Sequence, residues 1–234
     1  MKATVFCVGV GPGDPELMTL KALRLIREND VIAVPGKEPG ESVAYKIAVQ
    51  AVPELSGKTL VAVDMPMIRD RELLKKSHQE GARLIEAYLN QGKNVVYLTL
   101  GDPTVYCTFS YLQEYLEKDG YPVVLVSGIA SFLAAAARLN IPLTEWNQPL
   151  HILPALHNTV DSLVLAGNYV LMKSGSHMKE VKEQLRKSGR IVKAVENCTM
   201  PTEHLYYSIE EIPDEAGYFS LIIAKEAKED AKDE

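Results

Sequence analysis

The chain has 234 residues and a mass of 25.8 kDa; 47% of the residues are apolar and 24% charged. That is the composition of a globular protein of one or two domains with a sizeable core, and it excludes extensive disorder and collagen-like repeats. A formal net charge of −6 and a pI near 5.5 argue against nucleic acid or an anionic membrane as the main partner, because both require a basic patch.

The first half alternates short β-branched runs with longer helical patterns. Residues 4–8 are expected as a strand and 15–29 as a helix, with Leu17, Leu20, Leu23 and Ile26 on one face. A strand at 31–34 stops at Pro35-Gly36, a short helix at 42–51 ends before Pro53, and a third strand follows at 59–63. A long helix at 71–90 closes on Gly92. A strand at 94–98, a helix at 108–118 and a strand at 122–126 complete this half. Strands alternating with helices of about ten residues or more indicate a parallel sheet wrapped by helices, with right-handed crossovers.

After Ser127-Gly128 the texture changes. An alanine-rich helix is expected at 131–139, then strands at 151–153, 169–172, 191–196, 205–208 and 218–224 with few helices between them, two of them close enough to be antiparallel neighbours. This gives an N-terminal α/β domain over 1–127, a mixed α/β domain over 128–224, and a solvated charged tail over 225–234. No internal repeat occurs.

Cys7, Cys107 and Cys198 are odd in number and far apart, which excludes a disulfide framework or a cysteine-rich zinc site. No signal-like segment opens the chain and no apolar stretch reaches membrane-spanning length, so a cytoplasmic protein is expected. The five histidines (His78, His151, His157, His177 and His204) show no metal-ligand spacing. Ser56-Gly57-Lys58-Thr59 mimics the end of a phosphate loop, but Val52 stands where the leading glycine belongs and a strand follows. No G-x-S-x-G is present, which argues against an α/β-hydrolase.

Three small-residue turns fall at the carboxyl edge of the expected sheet, where open α/β folds bind ligands. Gly9-Val10-Gly11-Pro12-Gly13-Asp14 follows the first strand. It is not a dinucleotide fingerprint: Asp14 replaces the third glycine and Pro12 removes an N–H. It is either a tight β–α turn or a place of close ligand approach. Leu100-Gly101-Asp102-Pro103-Thr104-Val105-Tyr106 follows the fourth strand. Asp102 either caps the next helix or accepts hydrogen bonds from a ligand's hydroxyl or ammonium groups. Ser127-Gly128-Ile129-Ala130-Ser131 follows the fifth strand, as a plain connection with Ser131 as N-cap or as the floor of a concavity at a domain junction.

Taken in order, these segments resemble the tetrapyrrole methyltransferases, the S-adenosylmethionine enzymes of corrin and sirohaem synthesis, over residues 4 to about 224. The family has a G-x-G-P-G-D turn, a G-D-P after the fourth strand, and a P-G-[IV]-[TS]-[SA] segment leading into an alanine-rich helix and ending I-P-L-T. The last corresponds to 127–131, Ala134 to Ala137 and Ile141-Pro142-Leu143-Thr144. Gly40-Glu41-Ser42-Val43-Ala44, Met65-Pro66-Met67 and the run from Tyr97 to Phe109 are most similar to the members that methylate carbon 20 of precorrin-2 or cobalt-factor II. Cys107 departs from the serine or threonine usual in that run.

The resemblance implies the two-domain tetrapyrrole methylase fold, an α/β architecture with a parallel five-stranded N-terminal sheet and a mixed C-terminal sheet. It also implies a homodimer, a tetrapyrrole substrate, and S-adenosyl-L-methionine held folded between the domains. The implied cofactor contacts are Pro12, Leu100, Gly101, Asp102, Val105, Ala130, Ser131, Met172 and Cys198. Ser127 stands where the family usually has proline, and Cys198 where it has glycine. No metal ligand and no catalytic base is assigned, although Tyr106 and Asp102 lie near the relevant edge and His151 or His157 are positioned for a chance approach to a central metal. Because a tetrapyrrole substrate is rich in carboxylates, Lys37, Arg69 and Arg71 are expected either to pair with it or to remain solvated loop charges. The rival expectations are a sibling enzyme methylating another carbon, the diphthine-forming relative, or a non-catalytic tetrapyrrole- or nucleoside-binding module; the Y-x-T-F stretch and the three intact loops argue against them.

Overall fold

The structure is a computed structural model and describes residues 2–66, 68, 70–155 and 163–227. Met67, Arg69, His157 and the last seven positions of the charged tail lie outside the described residues. The chain divides into two compact units, Met1–Ala130 and Ser131–Glu234.

In the first unit β1 (Val5–Gly9), β2 (Val31–Pro35), β3 (Thr59–Val63), β4 (Val95–Thr99) and β5 (Val123–Val126) form one parallel sheet in the order β3-β2-β4-β1-β5. Parallel strands are covered on both faces, and alternate residues therefore face two different cores. Ile32, Val34, Val96 and Leu98 pack on one side with Leu25 and Ile26 of α1 (Leu20–Glu28) and with α2 (Val43–Ala51). Val31, Ala33, Val95 and Tyr97 pack on the other with Ile85 of α3 (Arg71–Leu89) and with Phe109 and Leu112 of α4 (Phe109–Lys118). The chain leaves β1 toward α1 and the β2 side of the sheet, and leaves the adjacent β4 toward α4 and the β5 side. The two connections run to opposite faces of the sheet, since Leu25 and Ile26 of α1 pack on one side and Phe109 and Leu112 of α4 on the other.

The helix expected over 15–29 is broken in two. Asp14 caps a single 3-10 turn, Pro15–Leu17, after which Met18 and Thr19 are extended. Thr19 then caps α1, its hydroxyl accepting from the Ala22 N–H at 3.2 Å. A side chain able to restart the helix outweighed the unbroken leucine period. At α3 the Asp70 carboxylate accepts from the backbone N–H groups of Glu72 and Leu73, and Gly92 ends the helix at φ +75. Gly81 lies within this helix because a Cβ there would stand 2.7 Å from Val63 Cγ1 and 3.1 Å from Leu112 Cδ2. It lets α3 settle closely onto β3 and α4.

In the second unit β6 (Leu150–Pro154), β7 (Asn168–Met172), β8 (Ile191–Glu196), β9 (His204–Tyr206) and β10 (Ser220–Lys225) form a mixed sheet in the order β6-β7-β10-β8-β9. Only β6 and β7 pair in parallel. α5 (Ser131–Arg138) opens the unit, and α6 (Met178–Lys187) adds a helix that the sequence reading passed over. Met178, Val181, Lys182 and Leu185 make its buried face at helical spacing. The buried lysine hid the period; its ammonium donates to the Ile212 carbonyl and, at 2.7 Å, to Asp214. Lys225 is also misplaced by composition alone: it is the last residue of β10, pairs with Ile191, and donates to the Pro142 carbonyl at 2.8 Å.

One ion pair braces α5 to the β8–β9 turn. The Arg138 guanidinium donates twice to Glu203 Oε1, at 2.9 and 2.6 Å, and the Thr199 N–H donates to Oε2 at 2.6 Å. Burial alone would raise the Glu203 pKa, but these donors hold its carboxyl below the ordinary 4.5. The brace is therefore complete above that value and is lost as the pH falls through the lower folded-state value. Replacement by glutamine should lower stability at neutral pH, and the wild-type and Glu203→Gln unfolding midpoints should converge on acidification, as read from denaturant titrations across pH. Gly81→Ala should destabilise despite its better helix propensity, because Val63 and Leu112 are fully buried. The expected net loss is about 1–2 kcal/mol, overpacking outweighing a propensity gain of roughly 1 kcal/mol, and the same denaturant titration measures it.

Candidate functional site

The carboxyl ends of β1, β4 and β5 meet backbone to backbone. A Cβ on Gly128 would fall well inside contact distance of the Gly101 carbonyl oxygen and 2.8 Å from the Gly9 carbonyl carbon. A Cβ on Gly9 would stand 2.8 Å from the Gly128 nitrogen. These neighbours are main chain and have no rotamer by which to yield. Gly11 and Gly101, at φ +78 and +70, join the first two turns as an isolated bridge. The Gly101 N–H donates to the Gly11 carbonyl at 2.8 Å, and the Gly11 N–H to that of Gly101 at 3.3 Å.

Asp102 ties in the third turn. Its Oδ2 accepts from the Gly128 N–H at 3.0 Å, while Oδ1 accepts from the Thr104 N–H at 2.8 Å and the Thr104 hydroxyl at 2.5 Å. Of the two roles the sequence left open, helix capping fails, because α4 begins only at Phe109. Asp102 instead closes a turn over Thr104 and clamps two loops together. The clamp itself, and Thr104's part in it, was missed by sequence reasoning; the D-x-T spacing was its only local signal.

The structure brings six of the sequence-derived candidates to this edge. Pro12, Gly101 and Ala130 are buried, and Leu100, Asp102 and Val105 are half-buried. Tyr106 follows at φ +49 and is 43% exposed. Behind the loop the Cys107 thiol lies 3.2 Å from the Thr99 hydroxyl. A hydrogen bond from Cys7 holds Cys107 down to about 6, whereas burial pushes Cys7 well up.

The other three candidates lie in the second unit. Ser131 opens α5, Met172 ends β7, and Cys198 sits in the turn after β8. Met172 pairs with Leu221 and Glu196 with Ser220, so β7 and β8 end at the same edge of the sheet, on either side of β10. Cys198 is buried, and burial with the nearby Glu203 carboxylate pushes its thiol up to about 12. Its neighbours Asn197 and Thr199, at φ +52 and +60, carry the left-handed conformation, and Cys198 does not. A side chain at this position is therefore accommodated where the family has glycine.

Of the cations considered, Lys37 and Arg71 are exposed, Arg71 at the first turn of α3. The His151 ring is occupied structurally, with Nε2 2.8 Å from the Ala166 carbonyl oxygen and its face on Tyr169. Among the described residues no group of three or more His, Cys, Asp or Glu is placed to hold a metal ion, and no helix is long and apolar enough to cross a membrane.

Residues 4–213 match the family model of the tetrapyrrole (corrin/porphyrin) methylases. The chain is 37% identical, over 96% of both sequences, to a probable cobalt-precorrin-2 C(20)-methyltransferase of Methanocaldococcus jannaschii. It is 30% identical, over 92% of both, to a precorrin-2 C(20)-methyltransferase of a Sinorhizobium species. Among solved structures it is similar to the uroporphyrin-III C-methyltransferase of Thermus thermophilus complexed with S-adenosylhomocysteine, with a TM-score of 0.71 and 23% identity over 96% of this chain and 98% of that one. Three glycine turns locked at one sheet edge, the five-stranded parallel and mixed sheets, and a family match over most of the length lead to one conclusion: the chain belongs to the tetrapyrrole methylase family.

Proposed function

We propose that this chain transfers the methyl group of S-adenosyl-L-methionine to carbon 20 of precorrin-2 or cobalt-factor II, on the route to cobalamin. The observation that carries this reading is the end-to-end similarity to proteins named for that activity, in a chain whose three glycine turns are intact. The proposed cofactor contacts are Pro12, Leu100, Gly101, Asp102, Val105 and Ala130 of the first unit and Ser131, Met172 and Cys198 of the second. A homodimer of twice 25.8 kDa in the cytoplasm completes the proposal, supported by the family resemblance.

The residues of the first unit fit a nucleoside–amino-acid ligand. Leu100, Val105 and Ala130 supply apolar surface, and Pro12 adds a wall with no N–H to satisfy. Asp102 engages three donors within the protein, which leaves about one of its roughly four acceptor positions for a ligand hydroxyl or ammonium. Bound there, S-adenosyl-L-methionine supplies a methyl group that is already activated. The chain then needs no nucleophilic side chain: its task is to hold the acceptor carbon in line and exclude water. A site made of glycines and small residues suits that task, since rigid backbone positions ligands without rotamer freedom.

Three outcomes test this reading. In an anaerobic assay offering precorrin-2 and cobalt-factor II side by side, product mass should rise by one methyl on at least one of them; no gain on either refutes it. Gly128→Ala should reduce turnover by roughly a hundredfold through displaced loops, with the circular-dichroism spectrum unchanged. Asp102→Asn puts an amide donor against a backbone donor. Calorimetry should show S-adenosylhomocysteine binding weakened roughly tenfold or more, matching about 1–3 kcal/mol for a donor left unpaired.

A further inference from the structure

A groove of about 480 Å³ opens in the first unit between the segment after β3, the start of α3 and α4. α3 turns Arg71, Leu74, Lys75 and His78 toward it, positions spaced as one helix face. Thr108 and Tyr111 supply the facing wall. The His78 ring lies on the Tyr111 ring with centroids 4.7 Å apart and planes only 4° from parallel. Burial lowers the His78 pKa, which favours the neutral ring.

The groove combines cations with exposed aromatic and apolar surface. Among the described residues neither Arg71 nor Lys75 has a hydrogen-bond or ion-pair partner, whereas the next lysine, Lys76, reaches Glu80 at 3.9 Å. Beside these cations Tyr111 and Ile68 are 50% and 41% exposed. An aromatic, apolar floor edged by unpaired cations suits a flat ligand that is apolar on its face and anionic at its rim. Glu114 lines the same groove and repels a carboxylate from its own position, so the α3 side is the anionic end. The loop that begins with Gly101-Asp102 at the sheet edge runs into the groove at Thr108. One short segment of backbone therefore serves both places.

We propose that this groove is a carboxylate subsite for the tetrapyrrole, in which Arg71 and Lys75 pair with acidic side chains at the rim of one pyrrole ring and the His78–Tyr111 pair supports its face. The inference rests on the methyltransferase reading for its choice of ligand. It extends the sequence-based expectation for Arg71 to Lys75, His78 and Tyr111, which carried no motif.

The test compares wild type with the double variant Arg71→Gln/Lys75→Gln, with Lys76→Gln as a control outside the groove. The double variant should raise the KM for precorrin-2 by roughly ten- to hundredfold. The S-adenosylhomocysteine Kd and the unfolding midpoint should stay unchanged, and Lys76→Gln should leave the KM alone. Wild-type KM should also rise with ionic strength more steeply than that of the double variant. An unchanged KM in the double variant overturns the subsite. Direct titration of precorrin-2, followed by its own absorbance, separates this proposal from the methyltransferase reading. Wild type that binds precorrin-2 more tightly than the double variant without methylating it leaves the groove standing and refutes the reaction; equal binding, or none to either protein, refutes the groove.

Discussion

The carboxyl ends of β1, β4 and β5 converge more closely than side chains permit, and the candidate site is built on that convergence. Gly9, Gly101 and Gly128 meet through main chain alone, and no neighbouring rotamer can make room for a Cβ. The Gly11–Gly101 bridge and the Asp102 carboxylate then convert proximity into fixed geometry. The loops that follow β1, β4 and β5 are thereby held by short backbone-directed hydrogen bonds. Of the side chains at this edge, the Asp102 carboxylate is held by three donors and is fixed with the backbone it ties.

This construction suits a reaction whose difficult chemistry resides in the reagent. An activated methyl group asks its catalyst for alignment and dryness more than for acid or base. The charged groups serve other ends. Arg138 and Glu203 brace the turn that carries Cys198, and Lys182 is buried where it satisfies the Ile212 carbonyl. Arg71 and Lys75, which have no hydrogen-bond or ion-pair partner among the described residues, line the groove beside the His78–Tyr111 pair.

Much of the fold was legible because hydrophobic period and turn chemistry agreed with it. The alternating runs and their glycine punctuation place all five strands of the first sheet to within a residue or two. The exceptions have local causes. Thr19 restarts a helix that the leucine spacing made continuous. Lys182 interrupts the apolar face of α6 because its partners, Ile212 and Asp214, lie some thirty positions away. Lys225 has the composition of a tail but pairs in β10, because strand pairing depends on the neighbouring backbone as much as on the residue's own side chain.

By itself the sequence determined the α/β class, the five strands of the parallel sheet, the three small-residue turns and the family they resemble. All of these are local patterns, readable from spacing within a dozen residues. Only the tertiary structure decided that Gly9, Gly101 and Gly128 touch, that Asp102 clamps Gly128 instead of capping α4, and that His78 stacks on Tyr111 in a groove shared with Arg71 and Lys75. Each of these joins residues from separate elements. Strand order and helix packing bring them together, and those depend on how whole faces bury one another, which no short stretch of sequence contains.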